Sequence, residues 1–191
     1  MRMRKSGADT RRRIVEQAYS LFYKKGFTRV SMDDIAARAG VTKRTVYAHF
    51  SSKDGLFTAA LEQQDELVQT LIREWSARIS GSAEALLDTL FADFARWATQ
   101  PRSGGSGITR LAMELADLPG HPAHAVARRH KLIMEGWYAG ELAKRNIDRP
   151  KERARELMLL MEGANALMVI HRDGAYAKAA AQAGKRLLRK K

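Results

Sequence analysis

The stretch SMDDIAARAGVTKRTVYAHFSSK, residues 31–53, constrains the fold of this chain more than any other feature. Ser31 precedes a short run with an apolar face, and its hydroxyl can accept a hydrogen bond from the backbone N–H of Asp34. Gly40 follows the run, and glycine ends helices because it adopts a left-handed backbone at no steric cost. Thr42 can cap a second helix, KRTVYAH. The pattern predicts a helix-turn-helix, whose second helix enters the major groove of DNA.

The longer run FTRVSMDDIAARAGVTKRTVYAHFSSKDGLF, residues 27–57, resembles the DNA-binding domain of the TetR/AcrR family of transcriptional regulators. The matching features are the apolar residue and serine before the first helix, the IAARAGVT turn, the T-x-Y-x-x-F recognition helix and the SKDGLF start of the next helix. The resemblance is close over roughly the first sixty residues and extends in outline over the rest. It implies an all-α fold of about nine helices, in which a three-helix DNA-binding domain precedes a larger helical domain for ligand binding and dimerisation.

We expect the DNA-binding domain at residues 1–56, with a basic arm over residues 1–9, and the larger domain at residues 57–191. Residues 1–56 contain 13 Lys and Arg against 5 Asp and Glu, whereas residues 57–191 contain 21 against 16. Basic charge concentrated on a small domain is typical of phosphate binding, although a merely soluble basic face is the alternative. The arm either reaches the minor groove or backbone, as the resemblance implies, or only improves solubility.

The candidate DNA contacts divide into base contacts and phosphate contacts. Polar side chains in the N-terminal half of the second helix reach base edges, and Arg44 is the candidate for a bidentate contact to guanine, with Lys43 next. Phosphate contacts fix the register of the protein on DNA and do not select sequence. The candidate DNA-binding residues are Ser31, Thr42, Lys43, Arg44, Thr45, Tyr47, His49 and Lys53.

Three of these roles come from the resemblance. It places Tyr47 along the DNA backbone, His49 on phosphate or sugar, and Lys53 on a phosphate at the start of the next helix. The alternative for Tyr47 is packing in a small core with Phe27, Val30, Ile35, Val46 and Phe50. The alternative for His49 is a capping or solvent-exposed side chain.

Helical periodicity continues along the rest of the chain. Pro122 suits the first residue of a helix, and Asp148 is a candidate cap for the helix after it. The segment QPRSGGSG, residues 100–107, predicts a loop. Helices are predicted over residues 10–25, 53–79, 83–99, 108–116, 122–145, 152–171 and 175–188.

The larger domain combines methionine and aromatic side chains that suit an adaptable apolar pocket. The resemblance implies a cavity, since these regulators typically release DNA when a small molecule binds. The alternative is that the same residues simply fill the core, and spacing alone does not separate the two. The candidate ligand-binding residues are Phe91, Phe94, Met113, Met134, Trp137, Met161 and Asn165.

Small residues in the last two predicted helices allow another helix to approach closely. The resemblance implies that this pair forms a four-helix bundle with its twin, and hence a homodimer. A two-fold symmetric dimer presents two recognition helices to half-sites about 34–36 Å apart, which fits a palindromic operator in double-stranded DNA. The small residues are Gly163, Ala164, Ala179, Ala180, Ala183 and Gly184.

Other functional classes find little support in the sequence. Cys is absent, which excludes disulfides and thiolate metal sites, and no G-x-S-x-G, phosphate-cradling glycine loop or H-E-x-x-H motif occurs, so we predict no enzyme. His121, His124 and His130 are clustered, and a metal site is the alternative, but no carboxylate or thiol falls at metal-ligand spacing from them, so we predict no metal and no cofactor. The first two are better interpreted as groups that cap or pad the turn around Pro122. No apolar run approaches the roughly 18 residues of a membrane span, and we expect a cytoplasmic protein with no membrane partner.

The predicted function is a homodimeric repressor that binds a palindromic operator and is released by a small apolar effector. An activator with the same fold is the nearest alternative. An architectural DNA-binding protein that recognises only backbone and shape, and a small-molecule carrier with an incidental basic domain, are the other two.

Overall fold

Helices account for all the regular secondary structure in the computed structural model, which describes residues 7–98 and 107–189. The predicted all-α fold is therefore confirmed, with nine helices in those ranges. They are α1 Gly7–Lys25, α2 Met32–Ala39, α3 Lys43–His49, α4 Lys53–Arg78, α5 Ala83–Ala98, α6 Gly107–Met113, α7 Ala123–Lys144, α8 Pro150–His171 and α9 Ala175–Leu188. None of these helices is both long enough and apolar enough to cross a membrane.

Several predicted boundaries differ from the observed ones. α6 ends before the predicted Ala116, and α7 begins one residue after Pro122. The predicted cap at Asp148 is wrong: Arg149, in the left-handed region at φ 49°, precedes α8 and makes no side-chain cap. Pro150 occupies the first turn, and its ring nitrogen has no N–H to be capped. The predicted loop over residues 100–107 lies outside the described residues, apart from Gly107 in α6.

The described residues form two compact units. Unit 1 contains residues 7–68 and 107–129, and unit 2 contains residues 69–98 and 130–189. α4 and α7 therefore contribute residues to both units. This division differs from the sequence boundary at residue 56, because the segment 107–129 joins the N-terminal helices; the functional boundary stays a prediction.

Aromatic side chains form the centre of unit 1. The Phe57 ring from α4 lies 4.9 Å from that of Phe22 in an edge-to-face arrangement and 4.7 Å from that of Phe27. Phe22 and Phe57 are fully buried, and Val46 of α3 is buried in the same core. Tyr47 is 46% exposed, so the alternative role of its side chain, packing in this core, does not hold. Burial of Val46 beside exposure of Tyr47 fixes which face of α3 is turned to solvent.

A carboxylate distant in sequence holds the loop between α1 and α2. Glu114 Oε2 accepts a hydrogen bond from the Phe27 N–H at 3.0 Å, and Oε1 accepts from the Thr28 N–H at 3.1 Å. Gly26 has a φ of 87°, and a Cβ there would lie 2.7 Å from Glu114 Oε1, so glycine serves both the backbone conformation and the close approach. The segment after α6 is thus an integral part of unit 1.

Unit 2 packs α5, α8 and α9 around a core of aliphatic side chains. Gly184 of α9 allows the closest approach, because a Cβ at this position would lie 3.0 Å from Leu157 and 3.1 Å from Leu87. Arg145 closes the end of α7: it binds the buried Glu141 at 2.6 Å and donates to the carbonyls of Ile79 and Gly81. These contacts order the connection between α4 and α5 within unit 2.

Replacing Phe57 by Ala should lower the free energy of unfolding of unit 1 by about 3–5 kcal/mol, because it leaves a cavity between Phe22 and Phe27. Far-UV circular dichroism during urea unfolding, together with amide hydrogen exchange in α1, measures the loss. Met113→Ala is the control, since Met113 is 72% exposed and its truncation should cost less than about 0.5 kcal/mol. Equal costs for the two variants would contradict this description of the core.

Candidate nucleic-acid interface

The start of α2 is fixed by reciprocal capping, of which the sequence predicts the part played by the Ser31 hydroxyl. The Asp34 N–H donates to Ser31 Oγ at 3.1 Å, and the Ser31 N–H donates to Asp34 Oδ2 at 2.9 Å. The Ser31 hydroxyl also donates to Asp34 Oδ2 at 2.6 Å, and these hydrogen bonds lower the pKa of the Asp34 carboxyl. The Ser31 hydroxyl is therefore already engaged within the protein before any phosphate approaches.

Gly40 and Thr42 set the angle between α2 and α3. Gly40 is left-handed, at φ 62° and ψ 42°, and its N–H returns to the carbonyls at the end of α2. Thr42 Oγ1 accepts from the Thr45 N–H at 3.1 Å and lies 2.8 Å from Thr45 Oγ1. Because both corners of the turn have their backbone groups satisfied, α3 has a defined orientation relative to α2.

α3 presents a polar and cationic face to solvent. Lys43, Arg44 and Tyr47 are exposed, Thr45 and His49 are half-buried, and Val46 faces the core. Arg44 makes no hydrogen bond or ion pair within the described part of the chain, so its guanidinium presents its donors to solvent. A short helix with such a face can enter the major groove, where guanine offers two acceptors to one arginine.

Lys43 is arranged differently from Arg44. Its ammonium lies 2.8 Å from Asp33 Oδ2 on α2, and both side chains are more than half exposed. The hydrogen bond to Asp33 raises the pKa of Lys43, so this lysine is a cation at any working pH. Two neighbouring cations at the start of the same helix therefore begin from different states, one paired and one unpaired.

Lys53, the first residue of α4, has partners that the sequence does not suggest. Its ammonium donates to the carbonyls of Phe27 and Val30, both at 3.1 Å, and lies 4.2 Å from the centroid of the Phe27 ring. Two of its three protons are thereby used to hold the loop between α1 and α2. The third N–H of the Lys53 ammonium could donate to a phosphate, and this predicted contact stays a prediction.

Other residues in this region were missed by the sequence analysis. Arg11 of α1 lies over the Phe50 ring at 4.9 Å, and Arg38 at the end of α2 donates to Gln17 at 3.1 Å. Asp33 and Glu114 were also missed. Their partners lie ten residues away and 86 or more residues away, respectively, so no periodicity of one helix connects them.

Most of the predicted ligand-binding residues lie together in unit 2. Phe91 is buried, whereas Phe94, Met134, Trp137 and Met161 are half-buried in the same hydrophobic cluster. Asn165 is a buried polar residue of α8. Met113 is not brought to this group: it lies on α6 in unit 1 and is largely exposed.

Both predicted capping histidines, His121 and His124, make contacts expected of that role. His121 Nδ1 accepts a hydrogen bond from the Ala123 N–H at 3.1 Å at the start of α7. His124 Nε2 lies 2.9 Å from the Leu115 carbonyl, within hydrogen-bonding distance. His121 also packs edge-on against Phe27 and Phe57, which makes it part of the core of unit 1.

Comparison with known sequences places this interface in a known family. Residues 14–60 match the model of the family described as bacterial regulatory proteins, tetR family. The HTH-type transcriptional regulator TtgR of Pseudomonas putida is 39% identical over 72 residues, which cover 38% of this chain and 34% of that protein. The A-factor receptor protein of Streptomyces griseus is 33% identical over 116 residues, covering 59% of this chain and 38% of that protein. The chain thus matches about a third of the length of these curated relatives.

Comparison with solved structures extends the likeness to the whole fold. A TetR-family transcriptional regulator from Streptomyces coelicolor superposes with a TM-score of 0.83 at 25% identity, over 95% of this chain and 95% of that chain. The likeness therefore includes the C-terminal helices as well as the helix-turn-helix. The family match at α1 to α4 and the superposition over both units agree with the resemblance seen in the sequence. Residues 14–60 thus match the tetR family of bacterial regulatory proteins, and the fold of the chain is similar to that of a TetR-family transcriptional regulator.

Proposed function

We propose that this protein is a homodimeric repressor that binds a palindromic operator through α3 and is released by a small apolar effector. The observation that carries the proposal is the cationic, solvent-facing surface of α3, held in place by the caps at Ser31 and Thr42. A free guanidinium beside exposed polar side chains suits direct contact with base edges. Such a regulator works where the chromosome is, which places it in the cytoplasm.

The effector part of the proposal rests on unit 2. Methionine and aromatic side chains from α5, α7 and α8 share one hydrophobic cluster there, and such side chains adapt to apolar ligands. One relative is named as a receptor, the A-factor receptor protein, which supports an effector for this chain as well. An activator would use the same interface for DNA. Reporter expression measured with and without the protein therefore distinguishes a repressor from an activator.

The dimer is supported by an exposed apolar stripe on α8. Leu159 and Ile170 are 70% and 71% exposed, and Leu167 is also exposed. Gly163 lies between them at helical spacing, and a Cβ there would meet no atom within 4 Å. Large apolar side chains at such spacing are typical of a helix-packing surface, and a second copy of α8 and α9 would cover them.

The direct test is to select bound duplexes from a random pool with the purified protein. We expect an inverted repeat whose half-site centres lie about one helical turn apart. Recovery of sequences with no shared motif would overturn the proposal and favour an architectural protein. Absence of DNA binding at moderate salt would favour a small-molecule carrier.

Replacing Arg44 by Ala should weaken binding to the selected operator by about 1–3 kcal/mol and relax the preference at one base pair in each half-site. Titration of a set of operators with single base-pair changes measures both effects. Arg73→Ala removes the same side chain from an exposed site on α4, outside the interface, and should leave the preference intact. Uniform weakening on operator and random DNA by Arg44→Ala would contradict a base contact.

Replacing Lys53 by Met should lower the free energy of unfolding of unit 1 by about 1–3 kcal/mol, because two loop carbonyls lose a charged donor. Binding to operator and random DNA should both weaken, since phosphate contacts do not select sequence. The operator should lose more, because the loop also positions the helix-turn-helix. Urea unfolding and parallel DNA titrations measure the two effects. Lys24→Met, at an exposed position near the end of α1, is the control for the lost charge. Unchanged stability with weakened DNA binding would assign Lys53 to phosphate alone.

Replacing Ile170 by Glu should convert the dimer to a monomer, because two carboxylates would be buried at the symmetric contact. Light scattering after size-exclusion chromatography gives the mass, and operator titration should lose its tight component. Leu132→Glu changes a comparably exposed residue on α7 and should remain dimeric. A dimeric Ile170→Glu protein would show that the last two helices are not the interface.

A further inference from the structure

The ion pair between Asp33 and Lys43 joins the two helices of the helix-turn-helix across their solvent-facing sides. Lys43 is the first residue of α3, and Asp33 lies in the first turn of α2. The 2.8 Å contact leaves the lysine and aspartate side chains 53% and 66% exposed. The pair is therefore part of the surface that α3 presents to solvent.

The electrostatics of the two helix N-termini explain why Lys43 and Asp33 pair. The first turn of α3 contains no acidic residue, and Lys43 and Arg44 add positive charge to its positive end. Asp33 is favourable at the start of α2 for the same reason, and it offsets the repulsion that Lys43 meets at the start of α3. Exposed ion pairs contribute little to stability, so a hydrogen bond to a base edge can replace the contact with Asp33, whereas a phosphate would also meet the repulsion of the Asp33 carboxylate.

We propose that Asp33 is a specificity-determining residue that withholds Lys43 from non-specific DNA. This inference rests on the proposed function, because it requires that α3 contacts DNA. Non-specific affinity grows with the number of phosphates that lysine and arginine neutralise. While Lys43 stays bound to Asp33 it adds nothing to that number, and the Asp33 carboxylate repels phosphate.

The operator differs from random DNA because one of its base edges offers Lys43 a hydrogen-bond acceptor at a fixed position. Acceptors of guanine in the major groove bind a lysine at a fixed position, and such a contact compensates for the lost ion pair. A random sequence supplies no such acceptor at that position. Asp33 thus weakens the complex with random DNA more than the complex with the operator, which increases the ratio of the two affinities.

The unpaired Arg44 and the paired Lys43 then have separate roles. The Arg44 guanidinium is available for a base edge from the start, whereas Lys43 is released from Asp33 only when the base beneath it is correct. Arg12 near the start of α1 is also paired with a carboxylate, Asp9, but that pair lies within one helix and not on the recognition helix. The pair that bridges α2 and α3 is the one placed to discriminate between sequences.

The test compares the Asp33→Asn protein with wild type on the selected operator and on a random duplex of equal length. Asparagine keeps a residue that tolerates the helix start while removing the charge. Affinity for random DNA should rise several-fold, and the slope of log K against log salt should steepen by about 0.9, the value for one added phosphate contact. Affinity for the operator should rise less, so the ratio of the two affinities should fall several-fold.

Two controls separate this effect from a general change of charge. Glu62→Gln removes one negative charge from an exposed site on α4, in unit 1, and should change both affinities alike. In a Lys43→Gln background, Asp33→Asn should no longer differ from Glu62→Gln, because the lysine through which it acts is missing. Circular dichroism confirms that each variant keeps its helices.

An unchanged affinity ratio in Asp33→Asn, or an equal effect with and without Lys43, would overturn the inference. In either case a wild-type protein that prefers the inverted repeat leaves the proposed function in place. A wild-type protein with no preference between operator and random DNA would instead reject the proposed function itself. The two failures are therefore distinguishable in one set of titrations.

Discussion

The loop between α1 and α2 is held by two side chains of opposite charge, and the position of the helix-turn-helix depends on them. Lys53 binds the carbonyls of Phe27 and Val30, while Glu114 binds the N–H groups of Phe27 and Thr28. With its backbone groups satisfied, the loop can bury the Phe27 ring against Phe57 and deliver the chain to Ser31 in an extended conformation. α3 is only seven residues long, too short to persist by itself, so its order follows from this packing.

Local features of the interface could be predicted from the sequence because their physical causes are local. The caps at Ser31 and Thr42 act over three residues, and Gly40 is left-handed because the turn requires it. Helical periodicity likewise places Val46 toward the core. The exposure of Tyr47 was left open, since an aromatic side chain one residue further along the helix suits either a core or a DNA backbone.

Features that join distant parts of the chain could not be predicted. The Glu114 contacts cross 86 and 87 residues, and a single glutamate after a short helix has no signal that names its partner. The left-handed Arg149 is another case: Asp148 has the chemistry of a cap, but Arg149 stands between it and Pro150 in the first turn of α8, and no side chain caps this helix. The ligand residues show the same limit, because methionine spacing predicts an inward face but does not distinguish Met113 at the surface from Met161 in a core.

On the proposed function, release from DNA requires that effector binding changes the α3 surface. An effector that binds one state about 100-fold more tightly than the other supplies about 2.7 kcal/mol of coupling. α4 contributes to both units and begins at Lys53, so a displacement of this helix alters the donor that holds the loop before α2. Since the loop depends on a few hydrogen bonds to charged groups, each of modest net strength, that coupling energy is large enough to change its geometry. The residues that make α3 rigid in the free protein are thus the ones through which it can be moved.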